Sequence, residues 1–367
     1  MKKSDLKIFL IKLAYLIPIV IIMVLVNLTA DPANVFGPPH YEKDLARYLA
    51  DGRNVENVSN YNERLMQKIY VETITEKPDV LVIGSSRAMQ ISSELFPAKR
   101  FFNASVSNAV VQDYVSIYEI YRKHGYTPST LILGLDPWVL NSNHGITRWK
   151  ELEDEYLDSM DRISGKKRSR LFKRSLIAQK YLMLLNPKYF QRSLRVIFQP
   201  EEKMKHEVIP TDAVEGEFPI KMSDGSYIYE RAFREQTIDE VRASAVRIEE
   251  ETRLSGFTSL DKSSQNIFES FIDSVQKDNV KIIFFLTPYH PAYYERVLKN
   301  QNLKIILDVE TYFRNLASEK NIKIIGSYDP SGCGLTELDF WDRAHPKREA
   351  IDKIFHNELS NSALGNE

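Results

Sequence analysis

Apolar and polar positions follow two rhythms along this chain. From residue 79 onward, short runs are apolar at consecutive positions: DVLVIGSS (79–86), RFFNAS (100–105), STLILGLD (129–136), VKIIFFLT (280–287) and IKIIGSYD (322–329). A run with no polar face suits a strand buried on both sides, as in a parallel sheet. Stretches with helical spacing separate most of these runs. The alternation predicts an α/β domain of three layers, α/β/α, in which an open parallel sheet is covered by helices on both faces. Ligands of such a sheet gather beyond the carboxyl ends of the strands.

The N-terminal rhythm differs. Residues 8–28, IFLIKLAYLIPIVIIMVLVNL, are apolar over a length close to the ~20 residues that cross a hydrocarbon core as a helix. Lys12 can snorkel, and Pro18 is tolerable in a membrane helix. Lys2, Lys3 and Lys7 precede the span and predict a cytoplasmic N-terminus with the rest of the chain outside. A cleaved signal peptide is the competing reading, although the apolar core is long for one and NLTADPANVF is a poor cleavage site. The organisation expected is a membrane anchor over 1–30, a stalk or lead-in over 31–78, and an α/β domain over 79–367. Between the third and fourth strands, about 140–279, strand character is low, which predicts a helical insertion. Within it lie a basic cluster, GKKRSRLFKR (165–174), and an amphipathic stretch, SLIAQKYLMLLNPKYFQRSLRVIF (175–198). These are either a solvated face beside a packed helix or a contact with anionic head groups or an anionic polymer.

Composition narrows the function by exclusion. The 367 residues carry 49 basic and 50 acidic side chains, a balance that does not point to nucleic acid. The single cysteine, Cys333, excludes an intrachain disulfide and is read as a packing residue. His124 and His144 fall in loop-like sequence without metal-ligand spacing, and HExxH is absent, so no metal or cofactor is expected.

Candidate chemistry lies at two distant places. LDFWDRAHPKREAIDKIF (338–355) follows the last strand and sets Asp342 three residues before His345. A carboxylate there can take the Nδ1 proton and leave Nε2 as a general base. The first strand ends in Gly84-Ser85-Ser86, and parallel strands bring their carboxyl ends to one rim, so a serine can meet that histidine. His290, after the fourth strand, reaches the same rim as a substrate contact or support. Trp138 and Tyr289 are candidates for an acceptor groove or, equally, for the core, and an ordinary packed loop is the alternative for His290.

With these blocks the chain resembles the SGNH (GDSL-like) hydrolase superfamily. The membrane anchor, the GSSR block and the NASVSNA block (103–109) resemble its membrane-anchored, DltD-like members that handle acyl groups on cell-surface polymers. The resemblance covers about 79–136 and 280–355, leaves the helical insertion unaccounted for, and implies an SGNH-like, flavodoxin-like parallel sheet. It implies Ser86 as nucleophile, with Ser85 as second choice, and His345 and Asp342 as its base and orienting carboxylate. Asn108 stands at the second-block glycine, where its backbone N–H can donate to an oxyanion. Asp136 replaces the third-block asparagine, and an ionised carboxylate cannot donate. Arg87 is expected to pair with Asp136, while the N–H groups of Ser86 and Asn108 hold the oxyanion. The implied activity is transfer or removal of an acetyl or D-alanyl group on a surface polysaccharide or teichoic-type polymer, beside a multi-pass, MBOAT-type membrane O-acyltransferase. An inactive polymer-binding or assembly scaffold and a simple periplasmic esterase are the alternatives.

Overall fold

The structure is a computed structural model that describes residues 15, 17–32, 36, 39–58, 61–166, 181–199, 208–247 and 252–363. In chain order its elements are α1 (Ile17–Ala30), α2 (His40–Ala50), β1 (Asn54–Glu56), α3 (Glu63–Thr73), β2 (Val80–Ile83), β3 (Phe101–Asn103), α4 (Val111–Lys123), β4 (Thr130–Leu135) and α5 (Glu153–Ser164). They continue with α6 (Pro187–Phe198), β5 (Ile209–Thr211), β6 (Ile220–Lys221), β7 (Tyr227–Ile228), α7 (Ile238–Val246), α8 (Lys262–Lys277), β8 (Lys281–Leu286), α9 (Pro291–Lys299), α10 (Ile305–Lys320), β9 (Lys323–Gly326) and α11 (Arg348–Ala363). Contacts divide the chain into two units, one of Met1–Tyr41, Ser59–Tyr61 and Lys167–Val208, the other of Glu42–Val58, Asn62–Lys166 and Ile209–Glu367.

The larger unit is an α/β body. Five strands pair in parallel in the order β3-β2-β4-β8-β9, each inside one of the apolar runs. Adjacent residues face opposite sides, so each run feeds two cores. Val80, Val82, Ile132, Ile283, Phe285 and Ile325 pack with Ile351, Ile354 and Phe355 of α11. On the other side Phe284 meets Phe268 of α8 and Phe313 of α10. The chain leaves β2 to one neighbour, β3, and later returns to the other, β4. The carboxyl ends of β2 and β4 therefore flank a switch point, where a doubly wound sheet opens a crevice.

Two expectations change here. The segment read as a stalk instead puts most of α2, with β1 and α3, into this body. The segment read as a helical insertion contributes β5, β6 and β7, which join β1 in an antiparallel sheet ordered β5-β1-β6-β7. Those strands are two or three residues long, too short for a period-2 pattern to register. The turn between β6 and β7 presses on β3. Gly225, at φ +80°, lies where a Cβ would come within 2.3 Å of the Asn103 carbonyl oxygen, and Asn103 N donates to Asp224 O at 2.8 Å.

The smaller unit holds α1 and α6. Asn27 Nδ2 donates to Leu184 O at 2.8 Å, and Tyr189 Oη to Asp31 Oδ1 at 2.6 Å. No helix among the described residues is long and apolar enough to cross a membrane. α1 has 14 residues, about 21 Å at 1.5 Å per residue against the ~30 Å of a hydrocarbon core. The start of the expected anchor, its preceding lysines and most of the basic cluster at 165–174 lie outside the described residues.

Candidate active site

The turn after β2 is shaped by what cannot fit there. A Cβ on Gly84 would come within 2.8 Å of Ala88 Cβ, and one on Gly134 within 2.5 Å, so two glycines let the first turn after β2 sit directly on β4. Ser85 is buried and caps a 3-10 turn, Ser86–Ala88, with its Oγ accepting from Arg87 N at 3.2 Å. Ser86 is half-buried and presents its hydroxyl to the rim. Of the two serines, Ser85 therefore does the capping.

Across the rim, Ser86 Oγ lies 2.9 Å from His345 Nε2. His345 Nδ1 lies 2.8 Å from Asp342 Oδ2 and 3.0 Å from Oδ1. With a carboxylate facing Nδ1, the ring proton belongs on Nδ1, and Nε2 keeps its lone pair for the serine proton. Asp342 also accepts from the backbone N–H groups of Ala344 at 2.7 Å and His345 at 2.8 Å. Burial alone would raise its pKa, but His345 and these N–H groups outweigh burial and hold the carboxyl well below its ordinary value. The loop is closed on itself by Trp341 N donating to His345 O at 2.9 Å.

Arg87 ties this loop to the sheet. Its Nη1 pairs with Asp136 Oδ1 at 2.8 Å, with both side chains 1% exposed. Nε donates to Ala344 O at 2.9 Å, and Nη2 to Thr287 O at 2.5 Å and Pro288 O at 3.2 Å. The guanidinium lies over the Tyr289 ring at 3.9 Å. One side chain thus joins the ends of β2, β4 and β8 to the residue before His345. Burial raises the Asp136 pKa, against the opposing pull of Arg87.

The loop after β3 is equally constrained. Asn103 is buried; its Nδ2 donates to Ala88 O and Ile91 O, both at 2.9 Å, and its Oδ1 accepts from Ser105 N at 3.0 Å. Glu63 of α3 accepts from Ser107 N at 2.6 Å and Ser107 Oγ at 2.7 Å. Arg64 forks onto Asp113 at 2.7 and 2.8 Å, and Asp113 accepts from Val110 N at 2.9 Å. Held between these anchors, Asn108 adopts φ +52°. Its Oδ1 accepts from Arg253 Nη1 at 3.0 Å. The N–H groups of Ser86 and Asn108 make no hydrogen bond among the described residues.

The remaining candidates take the packed alternative. Trp138 is fully buried, donates from Nε1 to Ala109 O at 2.9 Å, and lies under Arg253 at 4.2 Å. Tyr289 is buried beneath Arg87. His290 is buried too; its Nδ1 accepts from Ala292 N at 3.1 Å to cap α9, and its backbone N–H donates to Arg343 O at 3.0 Å. Burial lowers its pKa. These three support the rim from beneath rather than line it, because the chain after β4 and β8 turns inward instead of flaring into solvent. Cys333 is half-buried and burial pushes its thiol up to about 12, as suits a packing residue. A cavity of about 660 Å³ lies at the β9 edge, lined by Arg314, Ser327 and Cys333 among others, and contains none of Ser86, Asp342 and His345.

Sequence reasoning missed Arg253, which arrives from the segment between β4 and β8. Asn141 Nδ2 fixes its backbone by donating to Arg253 O at 2.7 Å. It also missed a group of half-buried rings beside His345: Tyr229, 5.9 Å from the imidazole, then Phe233 at 4.9 Å from Tyr229, then Trp341 at 6.5 Å from Phe233. No local pattern marks either, since their positions follow from how the intervening segment folds back.

Fold and geometry together define an α/β protein whose parallel sheet carries a Ser-His-Asp constellation at its carboxyl rim. Residues 52–333 match the model of a family described as a protein of unknown function, DUF1574, and the chain belongs to that family. The match includes Ser86 and stops short of Asp342 and His345. No curated protein matches the chain.

Proposed function

We propose that the protein is an SGNH-type serine acyltransferase or esterase. In this reading it is held at the cell membrane by its N-terminal segment, with the α/β body on the outer side. The single observation that carries the proposal is the unbroken line from Ser86 Oγ through His345 to Asp342. His345 Nε2 takes the serine proton as Oγ attacks the acyl carbonyl carbon. The tetrahedral oxyanion forms against the N–H groups of Ser86 and Asn108. The imidazolium returns its proton to the leaving group, giving an acyl-Ser86. An acceptor hydroxyl then attacks the acyl carbon and passes its proton to His345, which hands it to Ser86 Oγ as the acyl–Oγ bond breaks and the new ester leaves. Water in the acceptor's place gives hydrolysis.

Asp136 donates nothing to this oxyanion, since its carboxylate faces Arg87. Losing one such donor costs roughly 3 to 4 kcal/mol elsewhere, so turnover of simple esters should be slow and an activated donor favoured, as suits a transferase. The rings of Tyr229, Phe233 and Trp341 offer apolar faces to a sugar ring near the base, which supports a surface polysaccharide or teichoic-type polymer as acceptor. The acyl group is acetyl or D-alanyl, and a multi-pass O-acyltransferase in the membrane is the proposed donor-side partner. The test is Ser86→Ala, read by fluorophosphonate labelling of the purified chain and by polymer acylation in cells. Loss of both is expected, and unchanged acylation with a stably expressed variant would refute catalysis by Ser86. The sealed Arg87–Asp136 pair favours a second reading, a scaffold without catalysis, for which the native chain would take no label.

A further inference from the structure

The smaller unit carries a feature that the acyl chemistry does not use. Three faces divide α6. Tyr189 and Ser193 are buried, and Tyr189 together with Leu184 in the preceding turn is hydrogen-bonded to Asp31 and Asn27 at the end of α1. On a second face Phe190 and Leu194 are half-buried, while Ile197 is 46% and Phe198 78% exposed. On the third, Lys188, Arg192 and Arg195 are exposed. At 100° per residue, positions 190, 194, 197 and 198 share one stripe and 188, 192 and 195 another, with the α1 contact between them on one flank. α1 also exposes apolar side chains, with Ile19, Ile22 and Leu25 all more than half exposed.

So much exposed apolar surface beside a basic stripe is costly in water and marks an interaction site. The basic stripe requires an occupant that offers negative charge next to hydrocarbon. α1 is itself part of the apolar N-terminal segment proposed above to hold the chain at the membrane. We infer that α6 lies along the lipid–water interface, with Ile197 and Phe198 toward the acyl chains and Lys188, Arg192 and Arg195 toward anionic head groups. This inference rests on the membrane attachment proposed above. The two hydrogen bonds to α1 would fix α6 beside the point where the chain leaves the bilayer, giving the unit two points of support instead of a single tether.

The test uses the full chain with Cys333→Ser and one new cysteine at a time, Ile197→Cys, Phe198→Cys, Arg192→Cys or Arg195→Cys, labelled with an environment-sensitive fluorophore. The chains are reconstituted in phosphatidylcholine vesicles with and without phosphatidylglycerol. Labels at 197 and 198 should be quenched several-fold more by nitroxide lipids than by aqueous iodide, and labels at 192 and 195 the reverse, more sharply with the anionic lipid. A chain held in vesicles whose 197 and 198 labels stay open to iodide would overturn the interfacial seat alone. Labels shielded from both quenchers would place a protein surface there instead and also overturn it. A chain that fails to join the vesicles would overturn the attachment itself, and the seat with it.

Discussion

Arg87 and Asp136 form a pair that can be taken apart quantitatively. Replacing Arg87 by Met leaves the Asp136 carboxylate buried without its cation, a change that costs about 3 to 5 kcal/mol for buried pairs. Asp136→Leu leaves the guanidinium buried, though still donating to Ala344, Thr287 and Pro288, and should cost about as much at most. Against a typical total of about 5 to 15 kcal/mol, either single variant is serious. The double variant removes both charges and leaves buried carbonyls short of a donor, at roughly 1 to 3 kcal/mol. It should therefore be more stable than the sum of the singles implies. The assay is urea unfolding of all four proteins, paired with the rate of fluorophosphonate labelling. Labelling of the double variant should stay slow even where it is folded, because Ala344 O has lost the Nε donor that pins the loop carrying His345. Additive costs would refute the buried-pair argument. Native labelling in a stable double variant would refute the role of Arg87 in placing His345.

Three shorter predictions follow from the same geometry. Asp342→Asn keeps the shape but removes the charge that fixes the imidazole tautomer, and acylation of Ser86 should fall about 10⁴-fold; a loss below tenfold would count against the triad. Arg253→Ala frees the Asn108 side chain and should lower kcat more than it raises KM, with part of the loss recovered by Arg253→Lys; an effect confined to KM would make Arg253 a substrate contact instead. Burial brings the Lys221 amine, which donates to Gly225 O, down to about 8 from 10.5. The folded chain then binds fewer protons than the unfolded one between those values, so stability should climb with pH across that window. The limit is about 3 kcal/mol. Lys221→Met should flatten the slope in urea melts, and an unchanged slope would sink the assignment.

Much of the sheet was legible because its cause is local. Five runs with adjacent apolar residues can bury both faces only between helical layers, and β2, β3, β4, β8 and β9 each fall inside one. Ser86, Asp342 and His345 were legible as chemistry, since few residue types can serve as nucleophile, base and orienting acid. The small antiparallel sheet was not legible, because its strands are two to three residues long and pair β1 with partners more than 150 positions away. Nor was the part played by α3, whose Glu63 and Arg64 brace the Asn108 loop from a stretch read as a stalk.

By itself the sequence determined which segments would be buried strands, where the apolar N-terminal segment lies, and which serine, histidine and carboxylate side chains could be brought to one rim. Only the tertiary structure decided that Ser86 and His345, 259 residues apart, lie at hydrogen-bond distance. It also sank Trp138, Tyr289 and His290 beneath the rim and brought Arg253 onto Asn108. The physical reason is that burial and helical spacing are properties of neighbouring residues. Contact across a sheet depends on strand order and loop direction, which no short window of residues encodes.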